Sequence, residues 1–299
     1  VDDTGFTEHR GRLFGLAYRM LGSATDAEDV LQEAFLRWSA ADRAAIVAPG
    51  AWLAKVVTNL CLTALTSARA RRETYVGPWL PEPVLTERGP DETAELGADL
   101  SLALLTVLER LTPSERAVFV LREAFGYEHA AIGEVLGRTP ESSRQLHSRA
   151  RRRVQEPRRA SPADPAQVRR LVERFLAAAR DGDLGRLESL LATDVVSWSD
   201  GGGRVSAARM PVHGPERVAR LFAGLARKAG AEASYEVRTV NGEPALLAEF
   251  GGQYVVISLE ADSTTDEGRI VGVRAVVNPD KLRYLRHQLS RSTAFPSPS

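Results

Sequence analysis

The stretch Leu111–Arg153 (LTPSERAVFVLREAFGYEHAAIGEVLGRTPESSRQLHSRARRR) constrains this chain more than any other. Ile132, Val135 and Leu136 stand at helical spacing, and Gly137 then breaks the helix. Thr139 is placed to cap a second helix with Pro140 at its first position. Leu146, Ala150 and Val154 recur at i, i+4 and i+8 and give that second helix one inward face. Its other face carries Arg144, Gln145, His147, Ser148, Arg149, Arg151 and Arg152. Two short helices, a glycine turn and an arginine-rich second helix describe a helix-turn-helix that offers cations to phosphates and base edges. A solvated basic helix in an ordinary bundle is the plainer alternative, and the turn and cap argue against it.

Charge balance narrows the reading further. The 299 residues hold 39 Lys plus Arg against 39 Asp plus Glu, so a nucleic-acid footprint must be local rather than global. The cations are overwhelmingly Arg, with Lys at positions 55, 228 and 281. The lone Cys61 sits in an apolar helical pattern, which fits a buried thiol and excludes an intrachain disulfide. No run reaches membrane-span length and the first residues, VDDTGFTEH, lack a signal-peptide pattern. The expected compartment is the cytoplasm, with no membrane partner.

Before the helix-turn-helix, residues 6–38 read as helical. In DAEDVLQEAFLRW, Ala27, Val30, Leu31, Ala34, Phe35 and Trp38 make one apolar stripe, and Glu28, Asp29, Gln32 and Glu33 occupy the opposite face. Ser23 or Thr25 can cap this helix. A further helix is expected over 51–67, running out into Arg69, Arg71 and Arg72, cations suited to following a strand backbone. Residues 75–98 are proline-rich and read as a linker, yet Trp79 and Leu80 between prolines argue that it docks.

A second linker near 157–164 precedes a change of texture. Val168–Ala179 is a long amphipathic helix, 184–191 a short one, and 215–225 another. Strand-like runs occupy 195–198, 233–240, 245–250, 254–259 and 270–277, with Asn241–Gly242 as a hairpin turn. Helices followed by a curved antiparallel sheet make an α+β cone. Asp194, Asp200 and His213 are the carboxylate and imidazole candidates for acid–base work in such a cone. Asp200 reads as part of a surface loop with Gly201–Gly203, Asp194 as a strand opening and His213 as a helix lead-in. No convergence is visible, so no catalytic residue, metal or cofactor is expected.

DAEDVLQEAFLRW, AWLAKVVTNLCL and the 111–154 segment together resemble the extracytoplasmic-function sigma factors, over nearly all of 6–155. Residues 165–282 resemble the SnoaL-like, nuclear-transport-factor-like cone. WLPEP (Trp79, Leu80, Pro81, Glu82, Pro83), DGGG (Asp200, Gly201, Gly202, Gly203) and NPDKL (Asn278, Pro279, Asp280, Lys281, Leu282) resemble the sigma-factor group that carries this fused domain. The resemblance implies a multidomain chain of two all-α sigma domains, the second with a helix-turn-helix, followed by the α+β cone. The expected boundaries are a region 2 domain at 1–74, a linker at 75–98 and a region 4 domain at 99–156. A linker at 157–164, the cone at 165–283 and a C-terminal tail at 284–299 complete the chain.

The resemblance also implies roles. Glu28, Asp29, Gln32 and Glu33 would dock on RNA polymerase core. Lys55 and Asn59, with Arg69, Arg71 and Arg72, would meet the minus-ten promoter DNA. Arg144, His147, Ser148, Arg149 and Arg151 would meet the minus-thirty-five duplex. The WLPEP, DGGG and NPDKL residues would form a regulatory interdomain set, and a small ligand in the cone is left open. Thr63, Ala64 and Thr66 stand where relatives carry Asp and Arg, Ser143 replaces an apolar residue, and Ala131 and Gly133 replace Glu and Ala. A glycine inside a helix costs about 1 kcal/mol relative to Ala, so Gly133 is expected to weaken its helix. The rival classes are a ligand-sensing DNA-binding regulator, and a SnoaL-like cyclase or isomerase with a helical appendage.

Overall fold

The computed structural model describes residues 4–86, 100–155, 164–262 and 268–293, without the side chains of 4, 67–73, 292 and 293. The chain divides into two compact units, one of Val1–Thr74 with Arg88–Pro157 and one of Tyr75–Glu87 with Arg158–Ser299. The first is helical: α1 (Thr4–Thr7), α2 (Arg10–Leu21), α3 (Ala24–Ala40), α4 (Pro49–Glu73), α5 (Leu102–Leu108), α6 (Pro113–Phe119), α7 (His129–Leu136) and α8 (Pro140–Gln155), with a π turn at Val120–Ala124. Among the described residues no helix is long and apolar enough to cross a membrane.

Local chemistry sets the helix ends. Ser23 caps α3 by accepting the Asp26 N–H at 3.0 Å. Thr112 and Glu115 form a reciprocal capping box on α6. Thr139 accepts the Ser142 N–H at 3.2 Å to start α8, and Gly137 closes α7 at φ 62°. The expected helix over 51–67 begins two residues earlier and runs to Glu73.

The two helical halves of this unit share one interior. Arg116 is nearly fully buried, and its Nη1 donates 2.7 Å bonds to the Met20 carbonyl at the end of α2 and to Glu109. Burial lowers its guanidinium to about 10, which still leaves it charged at neutral pH. Phe125 receives two cations, Arg12 at 5.5 Å and Arg19 at 5.6 Å from its ring centroid. Cys61 is fully buried on α4, and burial pushes its thiol up and leaves it unreactive.

The second unit is an α+β fold: α9 (Pro165–Asp181), α10 (Leu184–Leu190), β1 (Leu191–Asp200), β2 (Val212–His213), α11 (Pro215–Ala229), β3 (Ser234–Val240), β4 (Glu243–Phe250), β5 (Gln253–Asp262), β6 (Arg269–Val276) and α12 (Arg283–Thr293). The sheet order is β2-β1-β6-β5-β4-β3. β1 and β6 run parallel, which corrects the expectation of a wholly antiparallel sheet. The chain leaves β1, passes through β2, α11 and the β3–β5 meander, and returns beside β1 in the same direction; such a crossover makes a parallel neighbour.

Both sheet faces are covered. Phe175 of α9 meets Phe222 of α11 edge to face at 5.1 Å, in a core with Leu246, Ile257 and Val273 on one side. On the other side, Leu80 and Leu85 join Leu247, Val256, Val276, Leu282 and Leu285 in a second cluster. The proline-rich segment expected as a linker that docks is partly core, with Leu80–Thr86 buried throughout. Of the expected terminal tail 284–299, residues 284–293 belong to α12, whose Leu285 and Leu289 face the same cluster, and 294–299 lie outside the described residues.

Gly133 corrects another expectation. A Cβ there would stand 2.6 Å from the Arg138 carbonyl oxygen, because the chain doubles back through a 2.8 Å Arg138 N–H bond to the Gly133 carbonyl. Glycine is therefore demanded by the turn, not merely tolerated by the helix. Gly133→Ala should destabilise the helical unit by about 1–3 kcal/mol through forced backbone shifts, despite the better helix propensity of alanine. Denaturant unfolding followed by circular dichroism checks this; equal or raised stability would show that helix propensity dominates at this position.

Candidate functional site

Helix α8 presents the basic face the sequence describes. Ser143, Ala150 and Val154 are buried against the rest of the helical unit. Arg144, Ser148, Arg149 and Arg151 are exposed on the opposite side. Arg144 pairs with Glu141 at 3.2 Å across one helical turn, a contact open to water and of small worth. His147 differs from expectation: it is mostly covered, and its Nε2 meets Glu123 at 2.7 Å. Its orientation is set by the π turn that carries Glu123.

Ser143 finds its reason in a neighbour. The His129 Nδ1 lies 2.9 Å from the Ser143 hydroxyl, so a polar pair replaces an apolar contact between α7 and α8. The His129 pKa is lowered, first by burial and then by the facing His147 and Arg122. A neutral imidazole suits that packed position.

On α3, Asp29, Gln32 and Glu33 are exposed. Glu28 is half-buried and paired to Arg10 at 2.6 Å, and Glu33 pairs to Arg37 at 2.9 Å. Lys55 and Asn59 are exposed four residues apart on α4, which puts them on one face. Arg69, Arg71 and Arg72 lie on the backbone of α4 with side chains outside the described residues.

The motifs WLPEP, DGGG and NPDKL meet inside the second unit. Asp200 is fully buried at the end of β1, which corrects its reading as a surface-loop residue. Its Oδ1 accepts the Tyr75 hydroxyl at 2.5 Å. Its Oδ2 accepts the Leu80 N–H at 2.7 Å and the Lys281 ammonium at 2.7 Å. Lys281 also donates to the Leu80 carbonyl, so one carboxylate and one ammonium hold both polar groups of a single residue's backbone. The ammonium stands over the Trp79 ring at 3.9 Å and the Tyr75 ring at 4.8 Å. Asn278 Nδ2 donates to the Tyr75 oxygen at 2.8 Å, and the Asp200 carbonyl accepts the Val277 and Asn278 N–H groups at 2.9 Å. Burial, then the bond to Asp200, pushes the Tyr75 phenol up, so it stays a donor through the neutral range.

Glycine is required beside this cluster. Gly202 has φ 56°, and a Cβ there would come within 2.8 Å of the Tyr75 hydroxyl. Arg204 pairs to Asp280 at 3.0 Å across the outside. Further along, Asn241 accepts from and donates to Val84, Gln288 does the same with Leu85, and Leu85 bridges Val240 at the sheet edge. Tyr75, Asn241 and Gln288 were not legible as site residues. Their partners lie more than 120 positions away, and no local pattern marks them.

Asp194 and His213 are exposed on β1 and β2 and do not converge with Asp200. Asp200→Asn should leave the Lys281 ammonium buried with its charge unmatched, costing about 3–5 kcal/mol in the stability of this unit. Hydrogen exchange at the Leu80 amide should accelerate in step. Native protection of that amide in the variant would remove the carboxylate from its holding role.

A profile for Sigma-70 region 2 matches residues 6–71, and one for Sigma-70 region 4 matches residues 101–154. The chain is 39% identical over 294 residues to the ECF RNA polymerase sigma factor SigJ of Mycobacterium tuberculosis, covering 93% of this chain and 92% of that protein. It is 34% identical over 288 residues to the probable ECF RNA polymerase sigma factor SigI of the same organism, with 94% of each covered. The crystal structure of SigJ superposes with a TM-score of 0.74 at 34% identity, over 93% of this chain and 96% of that one. With two helical sigma modules in order and an α+β unit that the SigJ match also covers, the chain belongs to the extracytoplasmic-function sigma factors, which direct RNA polymerase to promoters.

Proposed function

We propose that the α8 face of Arg144, Ser148, Arg149 and Arg151 grips the minus-thirty-five duplex, and that Lys55 and Asn59 meet the minus-ten strand. The observation that carries the first assignment is the exposure of those α8 side chains opposite a buried Ser143–Ala150–Val154 seam. A helix so anchored can enter a major groove without disturbing its own packing. His147 acts as a positioning residue for that face, because Glu123 already holds its ring. The exposed Asp29 and Glu33 supply acidic contacts, and Gln32 a polar one, for the polymerase core, in keeping with a cytoplasmic protein that works on DNA.

The cone is assigned a regulatory role in cis. Residues 75–86 are the chain that leads from the region 2 helices toward the region 4 helices, and Asp200 and Lys281 hold that chain at Leu80. A held connection restricts the spacings the two promoter-reading modules can adopt. Catalysis is not assigned to the cone, since its buried carboxylate is already saturated by three donors. The cone's cavity is read as room for a small ligand.

Two experiments test this reading. Arg144→Ala or Arg149→Ala should weaken duplex recognition by about 1–3 kcal/mol for a base contact, or reduce the salt slope by about one for a phosphate contact. Footprinting with polymerase core across a salt series measures both, and unchanged selectivity and slope would remove the residue from the surface. Run-off transcription comparing the full chain with Asp200→Asn should show a several-fold change in promoter output. Identical output and core affinity would overturn regulation in cis.

A further inference from the structure

The concave side of the sheet encloses a cavity of about 310 Å³ between α9, α11 and strands β3–β6. This lies at the lower end of the range of about 300–1,000 Å³ for small-molecule sites. Phe175, Leu221, Phe222, Leu246 and Ile257 make its body. The polar atoms facing it come from Ser199, Ser206, Tyr235 and Gln253, and no carboxylate or imidazole is among its lining. Lys228 is the one charged lining residue. It is exposed in the last turn of α11, where a cation complements the helix dipole.

Strand alternation explains the missing acid. Ser199 faces the cavity and Asp200, the next residue, faces the linker on the other side of β1. Ser197 is buried two residues before Ser199, at the alternate position that shares its face, and its hydroxyl has no partner among the described residues. A charged guest inside this cavity would lose its hydration with only the solvent-exposed Lys228 able to meet an anion and nothing to meet a cation, at a cost of several kcal/mol per ion. A neutral guest meets apolar walls and a few hydroxyl or amide groups able to orient one oxygen.

We propose that this cavity binds an uncharged, mainly hydrocarbon molecule of one or two rings, or a medium-length chain, bearing a single hydroxyl or carbonyl group. The site binds without turning its guest over. The inference deepens the ligand-bearing reading of the cone and names the class of ligand. The site is contiguous with the linker holder: the 205–208 loop lines this cavity and also a second, polar one shared with Val76 and Gly77. Ser199 and Val277 line it one residue away from Asp200 and Asn278.

The test uses the full chain and the neutral fluorophore N-phenyl-1-naphthylamine, displaced by decanol or by decanoate at pH 8. Saturable binding at one site is expected, with decanol at least ten-fold more effective than decanoate. Ala226→Phe and Ala248→Phe, which fill the cavity from a helix and from a strand, should each weaken the probe at least ten-fold. The proposal is overturned if the native chain shows no saturable binding, as when a segment of the chain itself fills the space. It is equally overturned if decanoate matches decanol, or if the filled variants keep full affinity while folded. Should both variants fail to fold, the decanol-to-decanoate ratio on the native chain decides. Failure of regulation in cis would appear in transcription by Asp200→Asn and leave the probe titration untouched, so the two outcomes separate.

Discussion

A single buried ion pair, Asp200 with Lys281, carries the organisation of the second unit. Removing two charges from water is expensive, and the pair persists because its remaining valences are filled by Tyr75, the Leu80 backbone and two aromatic faces. The same desolvation that makes the pair costly makes it selective, since only a backbone offering one N–H and one carbonyl at the right separation satisfies both groups. A proline-rich stretch with no helical period acquires one fixed path in this way, and its apolar residues can then complete the outer face of the sheet. Open strand β3 also gains a neighbour through Leu85, which covers part of an exposed edge.

The legible parts of the fold are those set by near neighbours in sequence. The α7–turn–α8 arrangement followed from Gly137, Thr139 and Pro140, and the structure repeats it residue for residue. The hairpin at Asn241–Gly242 was equally visible, with Asn241 at φ 55°. The exposed face of α8 followed from the period of Ala150 and Val154, although Ser143 rather than an apolar residue begins its buried seam. What escaped was non-local. Three glycines after Asp200 look like solvent-exposed loop, whereas Val205 and Ala207 crowd Gly201, Asn278 and Tyr75 crowd Gly202, and Val76 stands against Gly203. The parallel pairing of β1 with β6 depends on a crossover that strand periodicity does not encode.

Two departures from the family pattern have local explanations. Ser143 is matched by His129, which supplies the ring that fills the space an aliphatic side chain would take. Gly133 serves the reversal that delivers the chain to Arg138 and then to the cap of α8. Both sit in the α7–α8 helix pair, behind the exposed basic face of α8. Substituting toward the common residue at one of these sites, with its partner unchanged, would therefore damage the very element that the change was meant to regularise.

The holder of the linker is assembled from distant parts of the chain: Leu80 is bound by a lysine 201 residues further on. On a ribosome adding residues at roughly 5–20 per second, that lysine is made about 10–40 s after the leucine. In the later part of this interval, after residue 154 is made, both sigma modules exist while the lysine that binds Leu80 does not. Every newborn copy thus passes through a period in which both helical modules are complete and Leu80 still lacks its distant ammonium partner.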